Sequence, residues 1–331
     1  MQLFFLLHIC LASNAQEVTG RVLDKESNQP ICFATVYFNG TFIGTSTDDK
    51  GYFQLNVKKS SEMPITISAI GYYSHNEHNY SDSIPLVIRL QPKIYELKDA
   101  TVSAESLERK RRRYLRLFKE EFLGTTTNAE KCEILNEEDI TFNYYSDKDT
   151  VKAFTSKPLV VVNRALGYKI NYYLDKFEYY KKDGATFFTG NMIFEEDLSV
   201  AADGKQAFKH RRQASYNGSR MHFFRVLWFE GLEASAFRIR NTDYTLLSTP
   251  EIVQMDKSFN KFLEYSGKLL ISYENSRSLI EFINSPVYFD KTGFFNPGIK
   301  WSGKMALQRV ADWLPYEYKP SDPVSESSVE L

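Results

Sequence analysis

Histidine is scarce in this 331-residue chain: there are five, and His8 lies within the first ten residues. A zinc hydrolase needs two histidines and a carboxylate converging on the metal, with a further glutamate as base. The one close pair, His75-Asn76-Glu77-His78, lacks the i, i+4 spacing of a helical His-Glu-x-x-His site and the His-x-x-Glu order of the carboxypeptidases. It reads as a solvated strand end or loop, so no metal and no cofactor are expected. A basic excess is also missing. Lys and Arg number 41 against 42 Asp and Glu, for a net charge of −1, which argues against a nucleic-acid partner. Long apolar runs are absent too. Leu3 to Ala12 is too short to cross a bilayer as a helix, and no later stretch approaches that length, so no transmembrane span is expected in the mature chain.

That short apolar run has another reading. Ser13-Asn14-Ala15 places small residues three and one before a cut. Residues 1–15 are therefore expected to be a signal peptide, with Gln16 the first mature residue, although no Lys or Arg follows Met1. Acylation at Cys10 would need a small residue just before it, and Leu7-His8-Ile9 supplies none. The mature chain keeps Cys32 and Cys132. An oxidising compartment permits a disulfide, but Cys32 shares strand parity with Ala34, Val36 and Phe38. Two buried free thiols are the expectation.

What the chain has in plenty is aromatic: 21 Tyr and 25 Phe, residues that favour strands. Residues 16–91 alternate with period two at Val18, Gly20 and Val22, at Ala34, Val36 and Phe38, at Phe53, Leu55 and Val57, at Ile65, Ile67 and Ala69, and at Leu86, Ile88 and Leu90. Turn residues separate them: Asp24 to Pro30, Asn39-Gly40, and Thr47-Asp48-Asp49-Lys50-Gly51. The pattern predicts an antiparallel β-sandwich. Asp48 and Asp49 read as turn caps rather than a calcium site, which takes six or more oxygens.

Val18-Thr19-Gly20-Arg21-Val22, Pro30, Ala34, Val36, Gly44, Thr47-Asp48, Gly51-Tyr52-Phe53, Ser68 and Ile70-Gly71-Tyr72 together resemble the carboxypeptidase regulatory-like domain. The resemblance implies a seven-stranded, transthyretin-like Greek-key sandwich. It also implies a binding or positioning role, because this domain accompanies some zinc carboxypeptidases without being their catalytic part. In exported Bacteroidetes proteins it is often followed by a segment such as Leu97-Lys98-Asp99-Ala100-Thr101-Val102, present here.

Residues 92–108 read as a linker. A helix is predicted from Ser106, with Leu115, Phe118 and Phe122 on one apolar face and Gly124 as its stop. Its basic run, Lys110 to Arg113 with Arg116, suits either a solvated face or contact with anionic head groups or an acidic partner. Residues 109–318 then read as a β-rich α+β domain. Strands are predicted over 140–145, 158–163, 168–177, 185–194, 269–273, 280–282, 287–289 and 299–302. Helical character is predicted in places from Phe208 to Leu232. With Phe122-Leu123-Gly124, Cys132-Glu133-Ile134, Pro158-Leu159, Asn163, Leu166-Gly167-Tyr168, Arg212, Tyr216, Gly218-Ser219, His222-Phe223, Arg225, Trp301, Gly303 and Leu314-Pro315-Tyr316-Glu317-Tyr318, this half resembles uncharacterised Bacteroidetes proteins that carry the same first domain, a resemblance that brings no activity with it. Residues 319–331 are expected to form a disordered tail.

Three groups here could carry chemistry. Ser219, His222 and Asp243 have the residue types of a hydrolytic triad, but Met221 stands where the Gly-x-Ser-x-Gly elbow needs glycine, and Ser219 equally suits a helix cap. Glu195, Glu196 and Asp197 could act as paired carboxylates, yet adjacent strand residues face opposite ways, so a loop suits them better. Arg211, Arg212, Arg220 and Arg225 are the candidate ligand-binding residues, since guanidinium forks bind carboxylate or phosphate, with internal salt bridges as the other reading. The fold class expected is mainly β. The expected function is a non-catalytic binding or assembly module, exported to the periplasm or outer membrane, with an outer-membrane protein or envelope glycan as partner. The alternative is an envelope hydrolase acting on glycan or peptide through the second domain.

Overall fold

The computed structural model describes residues 16–57, 63–93, 104–197 and 202–321. The expected leader, the Leu97–Val102 segment and nearly all of the expected tail lie outside them.

The N-terminal region holds the seven expected strands. They are β1 (Gln16–Asp24), β2 (Thr35–Phe38), β3 (Gly44–Ser46), β4 (Tyr52–Val57), β5 (Ile65–Ser68), β6 (His75–Glu77) and β7 (Leu86–Leu90). They form two small sheets, ordered β4-β1-β7 and β3-β2-β5-β6. The alternation read from the sequence is the packing seen. Val18, Val22, Val36, Phe38, Phe53, Leu55, Ile65, Ile67, Ile88 and Leu90 fill one core between the sheets. At the β1 end, Asp24 accepts from Glu26 N and Ser27 N and receives the Tyr72 hydroxyl at 2.8 Å. Those bonds, led by the Ser27 amide, hold its carboxyl down to about 2. Asp48 Oδ1 accepts from Lys50 N and Tyr52 N, the turn-capping role expected of it.

One expectation fails here. Cys32 is exposed rather than buried. The strand starts only at Thr35, and Phe33 has φ +55°, so a turn intervenes and the parity of β2 does not extend back to residue 32. Cys132 is half-buried and free, and burial pushes its thiol up to about 12.

The β3-β2-β5-β6 sheet is covered on both faces. In β5 all four residues, Ile65 to Ser68, are buried. Ile65 and Ile67 point into the sandwich, whereas Thr66 and Ser68 point away from it and are still inaccessible. A second, larger sheet lies over them. It comprises β8 (Cys132–Ile134), β9 (Thr141–Tyr145), β10 (Thr150–Phe154), β11 (Leu159–Asn163), β12 (Tyr168–Tyr180) and β13 (Ala185–Glu196). Its order is β8-β11-β12-β10-β9, with β13 also paired to β12. Strands β12 and β13 make a long hairpin with an irregularity between Leu174 and Lys176. A side chain at Gly190, opposite Leu174, would overlap the Tyr172 ring and the Tyr173 carbonyl, so only glycine fits this crossing.

Helix α1 (Ala104–Leu123) packs on the far face of that sheet. Its Phe118 and Phe122 are fully buried against Phe177, Tyr172 and Phe188. The helix stops at Gly124, φ +98°, whose N–H returns to Glu120 O. The result is four layers: the β4-β1-β7 sheet, the β3-β2-β5-β6 sheet, the β12-β13 sheet and α1.

The remainder of the chain builds a further core. Helices α2 (Ala202–Tyr216) and α3 (Arg220–Trp228) precede β14 (Phe237–Arg240), β15 (Leu246–Leu247), α4 (Thr249–Ile252), β16 (Val253–Met255), β17 (Lys261–Leu263), β18 (Leu269–Tyr273), β19 (Ser276–Phe282), β20 (Val287–Phe289) and β21 (Ile299–Gly303). These strands pair as a five-stranded sheet, β15-β14-β18-β19-β21, and a three-stranded one, β16-β17-β20. Phe223, Val226 and Leu227 of α3 are buried in this core, on the shared face expected of them. The chain then returns: Val310, Ala311 and Leu314 join the core beneath α1. Among the described residues no helix is long and apolar enough to cross a membrane.

Candidate functional site

The sandwich is sewn to the rest of the chain through the loop between β2 and β3. Asn39-Gly40 makes the tight turn the sequence suggests, with Gly40 at φ +77°. Gly40 N donates to Met192 O, Phe194 N donates to Thr41 O, and Tyr316 N donates to Gly40 O. The Asn39 carboxamide accepts from Met192 N at 2.8 Å. This loop thus bonds at once to β13 and to the returning C-terminal segment. Elsewhere, Tyr173 OH donates to or accepts from Thr35 Oγ1 at 2.7 Å, and Lys93 Nζ donates to Leu174 O at 2.9 Å.

Beside this junction lies a pocket of about 240 Å³. Its walls come from all parts of the fold: Gly40 from the sandwich, Met192 and Phe194 from β13, Arg220 and Met221 from α3, Phe295 from the loop before β21, and Asp312, Trp313 and Tyr316 from the returning segment. Most of this lining is apolar. Two charged residue types face it. Arg220 donates through Nε and Nη2 to Met305 O and lies over the Trp301 ring, 5.2 Å from its centre. Burial, reinforced by the nearby Arg309 cation, draws its pKa down to about 10. Asp312 accepts from Thr126 Oγ1 and Asn128 Nδ2, both at 2.9 Å, through Oδ1. Its Oδ2 is buried with no hydrogen-bond partner, and burial pushes this carboxyl up.

The four arginines do not share one site. Arg211 donates to Ala165 O. Arg212 donates to Leu166 O and Gly167 O, pairs with Glu196, and stacks on Tyr168 at 4.0 Å. Arg225 spends its guanidinium on three carbonyls, Thr292 O, Tyr318 O and Tyr316 O. Of the four, Arg220 alone lines the pocket.

Ser219 and His222 are close, but in another relation than nucleophile and base. Ser219 Oγ accepts the backbone N–H of His222 at 3.0 Å and caps α3. The His222 Nδ1 accepts from Gly218 N, and its ring stacks on Tyr216 with centres 4.6 Å apart. Burial, then the neighbouring Arg225 charge, lowers its pKa to about 4, so it is neutral near pH 7. Asp243 sits in an exposed turn, its N–H on the Asn241 carboxamide.

The acidic trio corrects a second expectation. Glu195 and Glu196 are in strand, at the end of β13, and only Asp197 follows it. Strand placement sends them apart, Glu195 to Lys169 and Asn171 and Glu196 to Arg212. The pair is tolerated there because both side chains are exposed and each has its own cation. His75 to Glu77 form the edge strand β6, with His75 Nε2 at 3.5 Å from Glu77. Among the described residues no three His, Cys, Asp or Glu side chains converge as a metal site would require. On α1, Arg111 donates to Ile140 O and Glu137 O, and Arg112 pairs with Glu108 one turn earlier.

The pocket residues of the returning segment went unread as site residues. Their signal was Trp313-Leu314-Pro315-Tyr316, an apolar stretch near the chain end that needs a core to enter.

Comparison with known proteins adds the following. No curated protein matches the chain. Among solved structures, a protein of unknown function from Bacteroides fragilis, provisionally named membrane-associated, is 14% identical. The match covers 87% of this chain and 94% of that one, with a TM-score of 0.19. A 9R-lipoxygenase from Cyanothece is 12% identical over 65% of this chain and 48% of its own, with a TM-score of 0.16. Scores this low do not equate two folds. The family comparison is local: residues 18–102 match the CarboxypepD_reg-like domain. The seven-stranded sandwich that opens this chain is a CarboxypepD_reg-like domain.

Proposed function

We propose that the protein is a non-catalytic binding or assembly module of the cell envelope, acting on an outer-membrane protein or an envelope glycan. The observation that supports this reading is how the sandwich presents itself. Its inner sheet is committed to the rest of the chain, while the outer face of β4-β1-β7 is open. Across that face runs a row of directly paired residues, Tyr52, Arg21 and Val87. Arg21 lies over the Tyr52 ring at 4.9 Å, and Tyr52 and Val87 are 51% and 56% exposed. An aromatic, a guanidinium and an aliphatic side chain in one row form a surface of the kind enriched in interface centres. Strands β4 and β7 are also the outer members of their sheet, with backbone groups open to a partner strand.

The test is chemical cross-linking in intact cells, followed by affinity capture of the full chain. The wild type is expected to retain an envelope protein or glycan. The double variant Tyr52→Glu/Val87→Glu is expected to lose it while keeping its melting temperature. A wild type recovered without any adduct, or a variant that retains the same adduct, would overturn the proposal.

A further inference from the structure

The pocket at the loop junction holds a cation without a counter-ion. Arg220 forms no ion pair with any described carboxylate, and its two bonded nitrogens share one carbonyl, Met305 O. A charge that does act on it is another cation, Arg309, which is itself paired with Glu121 at 3.5 Å. Nη1 makes no hydrogen bond to a described residue. Removing a guanidinium from water without an anion is strongly unfavourable unless something supplies the missing charge. Much of the remaining wall is apolar, Met192, Phe194, Phe295 and Trp313 among it, and the carboxylate that also lines the pocket, Asp312, forms no ion pair with Arg220 and accepts instead from Thr126 and Asn128.

From this we infer that the pocket binds a small organic monoanion, a carboxylate whose oxygens take Arg220 and whose apolar body rests on the Met192, Phe295 and Trp313 walls. The volume suits on the order of ten non-hydrogen atoms, given that a cavity of roughly 150 Å³ accepts benzene. A carboxylate matches the planar fork of one arginine, while the dianionic charge of a phosphate would call for a second unpaired cation that the described residues do not provide. Asp312, which lines the same pocket, opposes any further negative charge. This inference goes beyond the envelope reading and depends on the pocket alone. A failed cross-linking experiment leaves it standing, and a failed titration leaves the outer sheet face unaffected.

The test uses the full mature chain and two matched probes, benzoate and benzamide, with inorganic phosphate as a third. Thermal melting and calorimetric titration are the readouts. Benzoate is expected to raise the melting temperature saturably and to bind at least tenfold more tightly than benzamide. Phosphate is expected to give no saturable shift. In Arg220→Met the preference for benzoate over benzamide is expected to vanish, with the far-ultraviolet circular dichroism unchanged. Should that variant fail to fold, the benzoate-to-benzamide ratio on the wild type still decides the matter. Equal binding of the two, no binding of either, or tighter binding of phosphate would each overturn the inference.

Discussion

The ring of Tyr37 stacks on the ring of Tyr173, with centres 5.7 Å apart and planes 27° from parallel. Tyr37 belongs to the sandwich and Tyr173 to the long hairpin of the larger sheet. Tyr37 is fully buried, and its hydroxyl also bonds Ser68 at 3.0 Å. This contact makes the first domain part of a continuous stack of layers.

Replacing Tyr37 by alanine should therefore destabilise more than the sandwich. A buried aromatic truncated to alanine costs about 3–5 kcal/mol. All three tryptophans, Trp228, Trp301 and Trp313, lie outside the sandwich. In urea, the tryptophan fluorescence midpoint of Tyr37→Ala is expected to fall together with the circular dichroism midpoint. A fluorescence curve that stays at its wild-type midpoint would mean the layers are energetically separate.

His222 should make stability depend on pH in one direction. Its folded pKa is about 4, against an ordinary value near 6.5. In the window between these, the unfolded state binds the extra proton, so stability rises with pH. The contribution is fully present above about 6.5 and is lost as pH falls toward 4, for a total of roughly 3 kcal/mol. His222→Asn keeps an acceptor for the Gly218 N–H and removes the titration. Urea midpoints measured from pH 4.5 to 7.5 should rise less steeply in this variant than in the wild type. Parallel slopes would refute the assignment.

Arg225 should behave as a clamp. Its guanidinium holds Tyr316 O and Tyr318 O of the returning segment and Thr292 O of the loop after β20. Arg225→Met removes three charge-assisted bonds and leaves the carbonyls short of a donor, at a cost of about 3–5 kcal/mol. Limited digestion with chymotrypsin is expected to cut after Tyr318 sooner than in the wild type. Arg225→Lys should recover only part of the loss, since one ammonium cannot span three acceptors. A wild-type proteolysis rate in Arg225→Met would rule the clamp out.

The sandwich was legible because its inner face obeys a local rule: Val36, Phe38, Ile65 and Ile67 alternate with polar neighbours. What was hidden is that those neighbours are buried too. Thr66 and Ser68 look like solvent-facing residues, and only a layer from a hundred residues further along the chain covers them. Cys32 was misplaced because one left-handed residue, Phe33, breaks strand parity, and no pattern announces it. Of the two readings open for Ser219, the cap is the one the structure shows, and it was legible because capping is local chemistry. The pocket was invisible for the opposite reason. Arg220 sits two residues from His222 in sequence, yet its surroundings, Trp301, Met305 and Arg309, come from some eighty residues further along the chain. Nothing near residue 220 distinguishes a guanidinium facing a hollow from one facing water.

A sheet clothed on both sides has a practical consequence for anyone cutting the gene. Severed after residue 93, the sandwich would bare the Tyr37 ring together with Thr66 and Ser68 on a flat, sticky plane, and would invite self-association. Transplanting this module into another scaffold would require either carrying the β12-β13 hairpin along as a lid or repainting that plane with charge.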